Sequence, residues 1–400
     1  MAETSETDIT KKLSVRRIIV PVLLGLFASG YLLVRNLNDP SFVQVMEGQK
    51  GQYAWVDGNA NGLVDAADAS DFEMNPEGSY VRITAREMIG AYEWTTQAVL
   101  AIFLALLMVA IRDFFYMYRI RILTGKKLGW RQCFDVIMIW EFASALTPSV
   151  VGGSGIAIFI LNREGINLGK STATVFVTAL MDEAFYIVMV PLVVLVVGMS
   201  QLFPETSIFS AFGTDSIQLL FYIGYGFIVF LTLSIIASIL WFPHKTKRSL
   251  IRLFSFRFLR RWRRRVVKLG NEIIISSVEL KGQPISYWGK AMGATFLSWT
   301  ARFFTLNFIF LAFTSGFDHF QVYGRQLVMW VIMLISPTPG SSGVAELALS
   351  AFFNYLLPVG MLALVALIWR LLTYFPYLFV GTLVLPGWLK RTSTRMAKAR

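Results

Sequence analysis

Two proline- and glycine-rich breaks interrupt apolar stretches at corresponding places in the two halves of this 400-residue chain. They are Thr147-Pro148-Ser149-Val150-Val151-Gly152-Gly153-Ser154-Gly155-Ile156-Ala157 and Ser336-Pro337-Thr338-Pro339-Gly340-Ser341-Ser342-Gly343-Val344-Ala345. Proline blocks a continuing helix, and glycine admits backbone geometries that other residues avoid. Each break is therefore expected to separate two half-helices too short to cross a bilayer alone. Irregular backbone survives at membrane depth only where protein or a polar cavity surrounds it. Paired interruptions of this kind mark an inverted-repeat membrane protein with a site at mid-bilayer.

Composition carries the membrane reading without any motif. The chain is 55% hydrophobic and only 16% charged, with mean hydropathy +0.58, more apolar surface than a soluble protein of this length hides from water. Its net charge of +12 could suggest nucleic acid. The basic residues, however, stand between apolar spans, where membrane topology puts them, so no nucleic-acid partner is expected. The single cysteine, Cys133, rules out an intramolecular disulfide.

At about 20 residues per crossing, six spans are read, roughly Val15 to Val34, Trp94 to Ile111, Ser171 to Gly198, Ile217 to Trp241, Tyr287 to Thr314 and Gly360 to Leu385. The stretches Gln132 to Leu161 and Val322 to Leu356 contain the breaks and read as re-entrant hairpins. The expected fold is an all-α polytopic membrane protein with six transmembrane helices and two re-entrant half-helix hairpins in an inverted repeat. The first apolar run continues beyond the small residues Ala28-Ser29-Gly30, so it reads as an uncleaved anchor and not a signal peptide.

Lysine and arginine orient the chain. The stretches from Arg112 to Arg131 and from Lys245 to Lys281 and the end from Lys390 to Arg400 are basic, whereas Gln201 to Ser216 has neither residue. Both termini are thus expected in the cytoplasm of a cell (inner) membrane protein, with Arg35 to Gly90 outside. The organisation that follows is a cytoplasmic N-terminus and first span (1–34), an extracytoplasmic insert (35–90), a membrane core (91–389) and a basic tail (390–400).

Several ionisable residues fall inside the spans, where they are costly unless paired or wet and are functional candidates by default. Twenty-seven residues beyond Gly155 stands Asp182, and twenty-seven beyond Gly343 stands Arg370, so equivalent positions of the two halves carry opposite charges. An ion pair locking the halves and a functional role are both consistent with that placement. Glu141, Glu183, Arg302, Arg325 and Glu346 share the depth, although Arg325 could also snorkel to the surface, and Arg163 and Glu164 read as rim residues.

The breaks add backbone chemistry. A half-helix beginning at Gly153-Ser154-Gly155 or at Gly340-Ser341-Ser342-Gly343 would present unpaired N–H groups and a positive dipole end, with serine able to cap or donate. Two such ends meeting at mid-depth form an anion site, and adjacent arginines could clamp a phosphate. The same glycines could instead serve close helix packing.

Thr147-Pro148 with Gly152-Gly153, and above all Pro337-Thr338-Pro339-Gly340-Ser341-Ser342-Gly343-Val344-Ala345-Glu346, resemble the paired signatures of the flippase-like integral membrane family related to the membrane region of lysylphosphatidylglycerol synthase. The resemblance covers roughly Ala91 to Leu389 and implies a role in moving lipids or lipid-linked groups between leaflets. Pro148-Ser149-Val150-Val151-Gly152-Gly153 is similar to the TP-x-x-x-GG variant, not to the P-x-R-x-G-E pattern of some relatives, so no head-group preference carries over. Only a short basic tail follows Leu389, so the aminoacyl-transfer domain of the full synthase is not expected and the chain reads as a non-enzyme. Nothing resembles a Walker A loop or a zinc cluster.

In the insert, Asp57-Gly58-Asn59-Ala60-Asn61-Gly62-Leu63-Val64-Asp65-Ala66-Ala67-Asp68 sets Asp57, Asn59, Asn61, Asp65 and Asp68 at loop positions 1, 3, 5, 9 and 12, with the Leu63 carbonyl at 7 and glycine at 6. That is the pattern of an EF-hand-type calcium loop, with Asp68 in place of the usual glutamate. An acidic turn-rich surface loop is the other reading. The Lys245 to Lys281 stretch interleaves arginines with aromatic and leucine side chains, which suits an interfacial helix on anionic lipid as well as a topology anchor.

Function is read as translocation of a phospholipid or other anionic lipid-linked substrate, with membrane lipids as partners and a homo-oligomer open. Two other classes stand beside it: an ion-coupled transporter of a small soluble anion, and a non-transporting membrane organiser.

Overall fold

The computed structural model describes residues 34, 37–45, 50–58, 64, 69–146, 150–203, 214–255, 263–333, 344–353, 355–357 and 359–398. All of the first span but Val34, most of the calcium-loop residues, residues 147–149 of the first break and 336–343 of the second lie outside the described residues.

The insert contributes a four-stranded antiparallel sheet, β1 (Pro40–Gln44), β2 (Tyr53–Trp55), β3 (Phe72–Met74) and β4 (Tyr80–Thr84), in the order β1-β4-β2-β3. Phe42 stacks on Phe72 at 4.1 Å between centroids, with Tyr53 and Tyr80 edge-on, so four aromatics form the sheet's apolar face. Gly78 is required where it stands, because a Cβ there would lie 2.1 Å from the Tyr53 carbonyl oxygen. The base of the acidic loop is closed by the Val56 N–H donating to the Asp71 carbonyl at 2.9 Å. A capping box between Thr84 and Glu87 starts α1 (Ala85–Ala91). Val43, Ala85 and Met88 belong to the same core as the membrane helices, so the sheet is seated on one end of the bundle.

The rest is helical: α2 (Thr96–Leu123), α3 (Trp130–Leu146), α4 (Val150–Arg163), α5 (Leu168–Val197), α6 (Thr214–Leu240), α7 (Pro243–Leu253), α8 (Arg263–Leu280), α9 (Ile285–Phe313), α10 (His319–Met333), α11 (Val344–Phe353), α12 (Val359–Thr373) and α13 (Phe375–Lys398). Among the described residues, four helical stretches are long and apolar enough to cross a membrane: α2, α5, α9 and Leu364–Arg395 of α12 and α13. Phe221–Ala237 in α6 is a shorter apolar run. The chain is therefore an all-α multi-pass membrane protein carrying a small sheet.

Three boundaries depart from the sequence reading. The second span does not end at Ile111; its helix continues to Leu123, because Arg112 and Arg119 are buried and paired and not released to a loop. The last span is interrupted at Tyr374, two residues before Pro376, whose ring excludes the helix geometry of the preceding turn. Its second part continues to Lys398, so the basic stretch from Lys390 is helix.

Packing follows residue size. Ala98, Ala101 and Ala105 on α2 and Ala291, Ala294 and Ala301 on α9 are buried, and these two helices lie together along most of their length. Helices α3 and α4 form a hairpin whose free ends are joined by Gln132 Nε2 donating to Glu164 Oε2 at 2.7 Å. Helices α10 and α11 form a second, joined by Arg325 Nη1 donating to the Phe352 carbonyl at 2.7 Å. The first hairpin opens toward the end where α13 finishes, the second toward the sheet. Helices α7 and α8 pack on each other, with Gly270 against Lys247, and α8 meets the start of α5, with Ile275 over Gly169.

Candidate functional site

A chain of ionic groups runs through the bundle, and it starts on α2. Residues 112, 116 and 119 share one face of that helix. Arg112, 5% exposed, donates to Glu141 on α3 at 2.8 Å and to Asp113 at 3.0 Å, and it also reaches the Tyr377 hydroxyl of α13. Tyr377 in turn donates to Asp113 at 2.9 Å. One guanidinium thus joins α2, the first hairpin and the last span. Ser298 of α9 donates to the Arg112 carbonyl, holding α9 against the same point.

Two turns along α2, Arg119 is fully buried. Its Nη1 lies 2.5 Å from Asp182 Oδ1 and 2.9 Å from the Thr295 hydroxyl, and its Nη2 lies 3.4 Å from Asp182 Oδ2. Trp299 Nε1 donates to Asp182 at 2.8 Å. The Tyr116 ring stands between the two arginines, 5.3 Å from Arg112 and 4.4 Å from Arg119. Buried charges are tolerated only when paired and hydrogen-bonded, and both arginines meet that condition.

Arg302 on α9 is different. It is half-buried in mid-span, 5.0 Å from the Trp299 ring and 4.3 Å from the Trp330 ring, and among the described residues it makes no hydrogen bond or ion pair. Arg112, Glu141 and Asp113 are its electrostatic neighbours. Aromatic faces stabilise a cation without occupying its N–H groups, so five donors stay available to a ligand.

The structure therefore gathers Glu141, Asp182, Glu183 and Arg302 of the sequence candidates into one region. Asp182 does not pair with Arg370: Arg119 occupies it, from a position that the sequence reading left in a loop. Arg370, 8% exposed, lies against Trp369 and Tyr374, and the Tyr374 hydroxyl donates to the Ala145 carbonyl next to the first break. Arg325 belongs to the sheet end, where Nε donates to the Gln201 carbonyl and the guanidinium lies over Tyr355. Helix α4 begins at Val150, so its open N–H groups are those of Val150 to Gly153, while those of Ser154 and Gly155 fall within the helix. Gly340, Ser341, Ser342 and Gly343 precede α11 and, like the Glu346 side chain, lie outside the described residues. Asp57 is described; Asn59, Asn61, Leu63, Asp65 and Asp68 are not.

Sequence reasoning missed Arg112 and Arg119. Their seven-residue spacing on one helical face, with Tyr116 between, was the available signal.

A second knot lies at the end of the first hairpin. The Glu164 side chain is fully buried and accepts from Gln132, from Trp388 at 2.8 Å and from Arg391, which also pairs with Asp135 at 2.8 Å. Arg163 donates to Ser393 at 2.7 Å. These contacts fasten α13 to the hairpin.

A family model described as the lysylphosphatidylglycerol synthase TM region matches residues 85–381. A UPF0104 membrane protein of Archaeoglobus fulgidus is 26% identical over 283 residues, 68% of this chain and 82% of that protein. No solved structure matches.

Proposed function

This chain belongs to the lysylphosphatidylglycerol synthase transmembrane-region family, and from that membership we propose that it moves an anionic, phosphate-bearing lipid between the leaflets of a cell membrane. The observation that carries the reading is Arg302, a mid-span cation held by two tryptophan faces with its donors uncommitted among the described residues. Dragging a phosphate through hydrocarbon is a problem of solvation, and a guanidinium at mid-depth supplies what water cannot.

In this reading the two hairpins are re-entrant, the two halves form an inverted repeat, and the breaks bring helix N-termini toward the same depth. Val150 to Gly153 supply N–H groups from the first hairpin and Gly340 to Gly343 supply theirs from the second. Arg370 stands beside the first break through Tyr374 and completes the basic lining. Both termini are cytoplasmic, the α7–α8 pair rests on anionic headgroups, and the sheet lies outside. The acidic loop of the sheet holds calcium, with Asp57 supplying the first carboxylate; the strand-closed loop base brings Asp57 close to Asp71 and suits such a staple.

The test is reconstitution. Purified protein in phosphatidylcholine vesicles doped with labelled phosphatidylglycerol or a labelled polyprenyl phosphate should accelerate exchange between leaflets, and Arg302→Ala should slow exchange more than it lowers folded yield. If no lipid in such an array moves faster while a soluble anion is taken up with an ion gradient, the soluble-anion transporter replaces this reading.

A further inference from the structure

We propose that α5 carries a proton-access route from the end of the bundle near α8 to the carboxyl group of Glu183. Lys170, Thr174, Thr178, Asp182 and Tyr186 recur every fourth residue, which sets them in one polar stripe that winds slowly around α5. Ala173, Val177 and Met181 on one flank of that stripe pack with residues of α2, α8 and α9, and Val175 on the other flank packs with the first hairpin. The stripe therefore runs along the inside of the bundle, between two apolar contacts.

Three hydroxyls of the stripe are buried and have no hydrogen-bond partner among the described residues: Thr174, Thr178 and Tyr186. Threonine in a buried helix ordinarily donates to the carbonyl four residues back. Thr124, Thr295, Thr305, Thr373 and Thr392 all do so here. Thr174 and Thr178 do not, so their oxygens are directed away from their own backbone. Buried polar atoms left over in this way are the sites that bound water satisfies. The stripe begins at a recess lined by Leu123, Lys170, Ala173, Thr174, Leu280, Gln283 and Tyr287. It passes Asp182, whose carboxylate is taken by Arg119 and Trp299, and reaches Tyr186, which interacts with Glu183 one turn back.

Glu183 is the remaining group. Its Oε2 is buried without a partner among the described residues. In the ionic cluster Arg112, Arg119 and Arg302 already balance Asp113, Glu141 and Asp182, so a charged Glu183 adds an uncompensated anion in the span. Its direct charged neighbour is Asp182 on α5, and Tyr186 follows on the same helix; Arg119 and Tyr116 from α2 face Asp182, Arg302 from α9 and Tyr323 from α10 face Tyr186, and Tyr225 from α6 donates to the Ile187 carbonyl. On the route, a proton leaves solvent at the recess and passes along water held by the two threonine hydroxyls. It forms the O–H bond of Glu183, and that bond breaks when the proton departs.

The proposal does not depend on a lipid substrate, and neither does its test. Infrared spectra of the full chain in phosphatidylglycerol–phosphatidylethanolamine membranes should contain a protonated-carboxylic-acid carbonyl band, shifted on transfer to heavy water and lost in Glu183→Gln. Thr178→Val, alone or with Thr174→Val, should leave the band in place and slow its shift, while the serine replacements restore the rate. A band that survives Glu183→Gln, or a shift equally fast in the valine and serine variants, overturns the route.

Discussion

Arg119 of α2 and Asp182 of α5 face each other with Nη1 2.5 Å from Oδ1, and the arginine is shielded from solvent on every side. Asp182 is thereby neutralised by the helix that precedes its own hairpin, not by the matching position of the other half. Removing either partner alone strands a buried charge, a loss of roughly 3–5 kcal/mol by the behaviour of such pairs. Arg119→Ala and Asp182→Ala should each sharply lower the folded fraction recovered from detergent by size exclusion, and exchanging the two charges should recover part of it. Additive losses in that double-mutant cycle would refute an interaction between them.

Orientation is checked by thiol labelling. Cys133 is buried, so a Cys133→Ser background is silent. On the sheet, Ser79→Cys should react with an impermeant reagent added to intact cells, whereas Ser249→Cys on α7 should react only after lysis; both positions are exposed. The reverse pattern would invert the protein and with it the assignment of the hairpins to the two faces.

Calcium is tested with terbium as its stand-in. Trp55 is exposed and lies two residues before Asp57, close enough to sensitise a lanthanide held in the loop. Sensitised emission from the full chain should be displaced by calcium in the weak range of extracellular sites, about 10⁻⁴–10⁻³ M. It should be lost in Asp57→Ala. Emission indifferent to both calcium and that substitution would leave the loop as an acidic turn.

Glu164 is satisfied largely by side chains of α13 and Gln132. Arg391→Ala should therefore raise hydrogen exchange across Trp388 to Lys398 and at the end of α4, while α2 and α9 remain protected. Unchanged exchange at both places would show that Trp388 and Arg395 suffice to hold the helix.

The breaks were legible because proline and glycine state their backbone constraint locally, and the apolar spans because hydrocarbon demands a minimum length. Arg112 and Arg119 were not, since an arginine spells the same in a loop as in a buried pair; only a partner on another helix distinguishes them. Asp182 and Arg370 are symmetric in spacing, yet symmetry of position does not make contact, and a nearer cation took the aspartate. Pro376 is the local signal for the interruption at Tyr374, set within an apolar run long enough to read as one span. The strands of the insert are three to five residues long, too short for alternation to stand out among turn residues.

The contacts that fasten α13 to the first hairpin impose an order on biosynthesis. Glu164 and Asp135 leave the ribosome 227 and 256 residues ahead of Arg391, and Arg112 precedes Tyr377 by 265. While the intervening spans are being inserted, these early side chains have no late partner to meet, so the first hairpin reaches the bilayer incomplete and depends on water, lipid headgroups or an insertion factor to shelter its carboxylates. The assembly closes only once α13 is in place, so a chain stalled before Tyr377 and Arg391 would leave those early carboxylates without their late partners and open to quality control.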